Sequence, residues 1–437
     1  MYLGLDIGTT SICAVVLDET GRIVFTTTRE NKFHGHSSNG ERTQDPDAIA
    51  SLCEEIYIET VKKHSIRSIG ISGQMHGILY VDKNGKAKTP LYSWQDERGN
   101  QPYEKSTYAE ALSEKTGYRM ATGFGCTSVF YDCVNGRISD EYADVCTIGD
   151  YVALQLTRES VPLLHDTMAA SLGLYDLKSG TWDYDAMHLA GLQDRLFPKT
   201  TKEIRPVGYT KDSIPVYTAI GDNQASVYGA EQSPDTVIVN IGTGSQVSII
   251  ANEYSNPAEG CEYRPYFHGR YLAIGCALCG GYSYKLLKDF FNTVSKEEIT
   301  YDRMNQWAEE AYGSSLPVTS TLFRGTRANP NLRASITNLS ESNFKAQAVT
   351  LSTLRGISDE LKQFYNLLIP ATGVRKTLVG SGNAVRMNPV LKRIIQEDFG
   401  MDLKIPLHTE EAAFGAALAA AEAFEKKNLK HFIRYTT

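Results

Sequence analysis

No G-x-x-x-x-G-K-[ST] run occurs in the chain, which excludes a P-loop nucleotide site on its own signature. Apolar runs of about 18 residues or more are also missing, so no segment reads as a membrane-spanning helix. Positive charge is in deficit. A formal net charge of −7 argues against a nucleic-acid or anionic-membrane partner, so any anionic ligand must be held locally. The eight cysteines form no dense framework. Cys13, Cys126, Cys146 and Cys276 lie inside apolar runs and read as buried free thiols. Cys276-Ala277-Leu278-Cys279 matches C-x-x-C, but it lacks a second pair and sits in an apolar stretch before Gly280-Gly281, so packing explains it better than zinc or redox chemistry. The first strand opens almost at Met1, which leaves no room for a signal peptide, and a cytoplasmic protein is expected. A length of 437 residues exceeds one ordinary core, and two or three domains are expected.

What the chain does have begins at Leu3-Gly4-Leu5-Asp6-Ile7-Gly8-Thr9-Thr10-Ser11. Leu3, Leu5 and Ile7 predict a short strand, Gly8-Thr9-Thr10 a tight turn, and residues 12–17 a second buried strand. Glycine lets the backbone approach a bulky anion, and the threonine hydroxyls and turn N–H groups can donate to phosphate oxygens. Asp6 stands too close to such an anion unless a cation lies between them. The combination reads as a phosphate and Mg²⁺ site.

The pattern returns once. Val239-Asn240-Ile241-Gly242-Thr243-Gly244-Ser245 repeats Leu5-Asp6-Ile7-Gly8-Thr9-Thr10-Ser11, again followed by apolar strand residues. One such turn would be an ordinary hairpin. Two copies, one near the start of each half, favour two related domains whose turns face a common cleft.

Two clusters of polar and aromatic groups follow strands in the first half: Gly73-Gln74-Met75-His76-Gly77, and Trp94-Gln95-Asp96-Glu97-Arg98. In open α/β sheets ligands gather at strand ends. Carboxylate, amide and guanidinium groups suit sugar hydroxyls, and Trp94 offers a flat apolar face. The same residues would also serve as a surface loop with an anchoring tryptophan. A helix is predicted from Asp47, with Ile49, Leu52, Ile56 and Val61 on its buried stripe, after a polar loop over residues 40–46. His165 and Asp166 read as structural. Asp222 follows the strand 216–220 and is either a helix cap or a second functional acid. Residues 348–368 read as a long amphipathic helix. Gly380-Ser381-Gly382-Asn383 follows the strand Thr377-Leu378-Val379 and can accept the base and ribose of a nucleotide, although Gly-x-Gly alone is weak evidence. Residues 410–424 predict an alanine-rich helix, with Gly415 inside it, that packs closely against a neighbour. Taken together these are the parts of a phosphoryl transferase, which needs charge neutralisation, in-line positioning and a base for the hydroxyl proton. Asp222 is the candidate base.

The chain resembles the FGGY carbohydrate kinases over essentially its whole length. Asp6-Ile7-Gly8-Thr9-Thr10 and Gly221-Asp222-Asn223-Gln224-Ala225 are similar to that family's phosphate and catalytic motifs, and Gly380-Ser381-Gly382-Asn383 to its adenosine motif. Ser72-Gly73-Gln74-Met75-His76-Gly77 and Trp94-Gln95-Asp96-Glu97-Arg98 resemble the sugar motifs shared by its xylulokinase and sedoheptulokinase branches. Ala121-Thr122-Gly123-Phe124-Gly125-Cys126, Ala169-Ala170-Ser171 and Pro265-Tyr266-Phe267 lean toward the sedoheptulokinase branch, whereas Gly242-Thr243-Gly244 looks like the general family turn. The resemblance implies an α/β fold of two ribonuclease-H-like (actin-like ATPase) domains with an interdomain cleft, residues 1–215 binding sugar and 216–437 binding ATP. It implies an ATP-dependent kinase acting on the terminal primary hydroxyl of a ketose, sedoheptulose first and D-xylulose as rival. Asp222 would be the base and Asp6 the Mg²⁺ residue. Gly8, Thr9, Thr10, Gly242, Thr243 and Gly244 would hold phosphates, and Gly380, Ser381, Gly382 and Asn383 the adenosine. Gln74, Met75, His76, Trp94, Asp96 and Arg98 would line the sugar pocket beside Asp222. A non-catalytic nucleotide-dependent binding protein of the same fold is the alternative from another class, and it has no need of the sugar clusters.

Overall fold

The computed structural model describes the chain apart from Phe33, Ser37, Ser38, Asn39, Ala328 and Thr437. The chain packs as two units, Met1–Gly229 with Pro265–Gly269 and Glu410–Phe432, and Ala230–Arg264 with Arg270–Thr409 and Ile433–Thr437. The division falls after Gly229 rather than between residues 215 and 216. The helix Asp222–Ala230 and the late helix Glu411–Glu425 pack on each other, which draws both into the first unit.

The first unit is built on β1 (Tyr2–Ile7), β2 (Ser11–Leu17), β3 (Ile23–Glu30), β4 (Ser68–Gly73), β5 (Pro206–Tyr209) and β6 (Pro215–Tyr217), in spatial order β5-β6-β4-β1-β2-β3. A further short strand, β7 (Ile220–Gly221), runs parallel to the end of β4. β1 and β2 form the expected antiparallel hairpin, whose turn is closed by Gly8 N donating to Ser11 O at 2.9 Å. The predicted helix is Pro46–Lys63. It starts one residue early because Asp45 caps the N–H groups of Asp47 and Ala48 while Pro46 takes the first turn, where no N–H is needed. Its residues Ile49 and Ile56 join Leu3, Leu5, Ile7, Ile69 and Ile71 in one core. The segment expected to be loop contains a short strand, Arg42–Gln44, because it pairs with both His34–His36 and Leu91–Tyr92.

The second unit repeats this plan with β8 (Thr236–Ile241), β9 (Ser245–Ala251), β10 (Cys261–Tyr266), β11 (Arg270–Ala277), β12 (Thr377–Ser381) and β13 (Leu403–Lys404), in order β10-β11-β9-β8-β12-β13. β8 pairs antiparallel with β9 and parallel with β12, as β1 does with β2 and β4. The amphipathic helix runs Ala346–Thr372 and lies on β9 and β11. All eight cysteines are free thiols, with Cys13, Cys126 and Cys146 buried and Cys276 half-buried. Among the described residues no helix is long and apolar enough to cross a membrane.

The alanine-rich helix Glu411–Glu425 comes into direct contact with bare backbone at three glycines. A Cβ added to Gly4 of β1 would lie 1.9 Å from Ala413 O, one on Gly70 of β4 would lie 1.9 Å from Ala416 O, and one on Gly415 would lie 1.9 Å from Ala225 O. Only glycine facing small residues permits that approach. Gly70→Ala is expected to cost about 3 kcal/mol or more through overpacking against a backbone carbonyl, read as a large drop in the thermal midpoint.

Candidate active site

Asp6, one residue from the end of β1, lies directly opposite Ser72 on β4, and Ser72 Oγ donates to Asp6 Oδ1 at 2.7 Å. Burial pushes the Asp6 carboxyl up, the Ser72 bond opposes this, and nearby Glu410 raises it further. The donors at this strand end are one carboxylate and one hydroxyl. Among the described residues no cluster of three or more His, Cys, Asp or Glu side chains could cage a metal. That donor set fits Mg²⁺, which is held by one or two carboxylates and takes its remaining oxygens from water and phosphates.

The turn after Asp6 is wired to the sugar clusters. Thr9 Oγ1 accepts from Trp94 Nε1 at 2.9 Å and donates to Gln74 Oε1 at 3.3 Å. Gln74 Nε2 in turn donates to Gln44 Oε1 at 2.6 Å, and Gln44 Nε2 returns to Thr9 O at 2.9 Å. Gln74 and Gln44 are buried, whereas Trp94 is 46% exposed, so the indole is tethered by its edge while much of the ring stays open to a ligand. Sequence reading missed Gln44 because its strand forms only through pairing with distant segments.

Met75 and His76 continue the loop. Met75 abuts the residue before the other acid: a Cβ on Gly221 would lie 2.9 Å from Met75 Sδ. His76 has a left-handed backbone, φ 74°, a conformation that costs a non-glycine residue about 1–2 kcal/mol. Its ring stacks on Phe124 at 4.6 Å and its Nδ1 lies 2.6 Å from Ser171 O. A carbonyl only accepts, so Nδ1 carries the proton. Asp222 follows β7 as the first residue of the helix Asp222–Ala230, half-buried, with Asn223 N donating to its Oδ1 at 2.7 Å. The short segment behind this loop includes His165 and Asp166, both buried and 3.1 Å apart. Burial pulls His165 down to about 3 and pushes Asp166 up to about 7.

Asp96 and Arg98 differ from expectation. Both are fully enclosed, at 0% and 2% exposure. Asp96 Oδ1 accepts from Arg98 N and Nε, and its Oδ2 from Arg42 N and Arg98 Nη2, which leaves no lone pair directed at a ligand. Arg98 also reaches Asp132 Oδ1 at 3.4 Å and stacks 3.6 Å over Tyr92. The two charges are saturated by their own neighbours and brace the Trp94 loop from behind.

In the second unit Asn240 lies opposite Ser381 and donates to its Oγ at 2.6 Å, repeating the Asp6 and Ser72 pair. The turn at residues 242–244 is exposed at Gly242 and Thr243 and is clasped by Gly281 N on Gly242 O and by Gly280 N and Tyr282 N on Thr243 O. Gly380 and Ser381 are buried at the end of β12, while Gly382 adopts φ 84° against Ile241 O and Asn383 is exposed. Gly382 and Asn383 are therefore the members of that motif open to a nucleotide.

Residues 1–229 match the N-terminal domain of the FGGY family of carbohydrate kinases, and residues 237–424 its C-terminal domain. The chain belongs to this family. It is an ATP-dependent sugar kinase with the two-domain actin-like ATPase fold. Mouse sedoheptulokinase is 30% identical over 468 residues, covering 95% of this chain and 96% of the relative. Human sedoheptulokinase is 28% identical over 473 residues, with the same coverage of 95% and 96%. A xylulose kinase from Staphylococcus epidermidis is 24% identical over 448 residues, 96% of this chain and 87% of its own. Among solved structures, xylulose kinase from Lactobacillus acidophilus superposes with a TM-score of 0.86 at 19% identity, over 100% of this chain and 92% of that one, which establishes the fold.

In this FGGY kinase the Arg98 cluster and Trp94 should separate cleanly. Arg98→Ala leaves Asp96 and Asp132 buried without their partner and is expected to cost about 3–5 kcal/mol of stability. Trp94→Phe, at a half-exposed position, should shift the denaturation midpoint little and act on the sugar KM. Thermal melts and steady-state kinetics on both variants check this.

Proposed function

We propose that this FGGY kinase transfers the γ-phosphoryl group of ATP to the terminal primary hydroxyl of sedoheptulose, giving sedoheptulose 7-phosphate. The observation that carries the substrate is the similarity to two sedoheptulokinases at 28–30% identity over 95% of the chain. Gln74, Met75, His76 and Trp94 contact the sugar, with His76 hydrogen-bonding a hydroxyl and the Trp94 ring covering C–H surface. Asp222 takes the proton of the attacking hydroxyl, a role typically worth about 10²- to 10⁴-fold in rate. Its carboxylate accepts from Asn223 N on a half-buried residue. The N–H groups of Thr9, Thr10, Thr243 and Gly244 and the hydroxyls of Thr10 and Thr243 donate to the phosphates, and Gly8 and Gly242 let the backbone approach them. Gly382 and Asn383 hold the adenosine, supported from behind by Gly380 and Ser381. Asp6, oriented by Ser72, holds Mg²⁺ with its hydration shell. When bound with the nucleotide, Mg²⁺ neutralises charge on the phosphate oxygens.

The test is sugar-dependent ADP release with Mg²⁺ on sedoheptulose, D-xylulose, D-ribulose, L-ribulose and glycerol, ranked by kcat/KM. Sedoheptulose is expected to lead. A lead for D-xylulose would overturn the substrate and keep the mechanism, and no sugar-stimulated turnover would favour a nucleotide-dependent binding protein. In the same assay Asp222→Asn should lower kcat by about 10² or more while nucleotide affinity, read by calorimetry, stays unchanged.

A further inference from the structure

The buried segment at residues 165–171 contacts both the loop that carries His76 and the turn that carries Asp222. Thr167, at 0% exposure, has its Oγ1 3.1 Å from Gly221 N, the residue before Asp222. The same oxygen is 2.9 Å from His165 Nδ1, and Thr167 N donates to that nitrogen at 3.3 Å. Because Nδ1 accepts from Thr167 N, it has no proton to give. The hydroxyl proton of Thr167 therefore points to Nδ1, and its oxygen is left to accept from Gly221 N. Four residues on, Ser171 Oγ accepts from His76 N at 3.0 Å and donates to Met168 O at 2.7 Å, while Ser171 O takes the His76 Nδ1 proton. Residues four apart on a helical turn share a face, and the segment is helical, Asp166–Ala169 running into Ala170–Leu172.

We propose that this turn is a positioning brace: the Thr167 hydroxyl fixes the backbone that aims Asp222, and Ser171 fixes the strained backbone and the ring tautomer of His76. The base and the sugar contact are thereby referred to one rigid element. A base displaced by about 1 Å can lose about 10²-fold in rate, so such a reference matters to turnover even though neither residue touches substrate. The inference rests on the reading of Asp222 as base and His76 as sugar contact.

The experiment compares Thr167→Val, which removes the hydroxyl at nearly constant volume, with Thr167→Ser, which keeps it, and with Ser171→Ala, each in the wild-type and Asp222→Asn backgrounds. Thr167→Val should lower kcat about 10- to 100-fold with little change in ketose KM, and Thr167→Ser should restore most of the loss. Ser171→Ala should act mainly on ketose KM. In the Asp222→Asn background Thr167→Val should cause no further fall, since its effect passes through the base. Equal losses in Thr167→Val and Thr167→Ser, or an undiminished loss on top of Asp222→Asn, would overturn the brace and leave plain packing. A wild-type rate in Asp222→Asn alone would remove the base itself and the brace with it, whereas an inactive Asp222→Asn beside an unimpaired Thr167→Val would remove the brace only. Thermal midpoints identify any variant that has merely unfolded, and the Thr167→Ser and Ser171→Ala kinetics then decide.

Discussion

The first unit depends on the contact between the helix Glu411–Glu425 and bare backbone. Gly4 on β1 and Gly70 on β4 face the carbonyls of Ala413 and Ala416, and Gly415 faces the carbonyl of Ala225 in the helix that Asp222 opens. Each of the three elements that carry a functional end is thus set at a spacing that leaves no room for one more carbon. Asp6 stands one residue from the end of β1, the Ser72 to His76 run ends β4, and Asp222 begins the helix, so one late segment of the chain fixes where all three lie. Interiors this dense transmit small displacements, and the tolerance of the site is inherited from that packing.

A second constraint is the repeated hairpin. In both units the residue before the last of the first strand is tied across a parallel neighbour to a serine, Asp6 to Ser72 and Asn240 to Ser381. The geometry is the same and the charge is not. The first copy carries an aspartate at this place and the second its neutral isostere. That division suits a kinase, in which one metal and two sets of donors share a polyphosphate chain.

The open side chains are anchored by polar networks that are complete within the chain. Thr9, Gln74, Gln44 and Trp94 form one, and Asp96, Arg98, Asp132 and Tyr92 another. Buried groups of this kind are costly unless every bond is made, and in return they hold loops to a single conformation. The left-handed backbone of His76 persists on the same terms, over-determined by Ser171 and Phe124.

Sequence by itself determined the two-fold plan, the turn after Asp6 and its copy after Asn240, the strand that delivers Asp222, and the small-residue helix, because each is written in local periodicity, glycine placement and residue type. The family resemblance rests on the same local runs. It did not determine which polar residues meet a ligand: Asp96 and Arg98 sit in a motif beside Trp94, yet only packing turns the tryptophan outward and closes the ion pair in. Nor could it find Gln44, Thr167 or Ser171, whose partners lie tens of residues away and whose roles arise from strand pairing and from hydrogen bonds across the fold. Local chemistry is legible along the chain because neighbours impose it. Burial and hydrogen-bond saturation are not, because they are properties of residues brought together only when the sheets and helices pack.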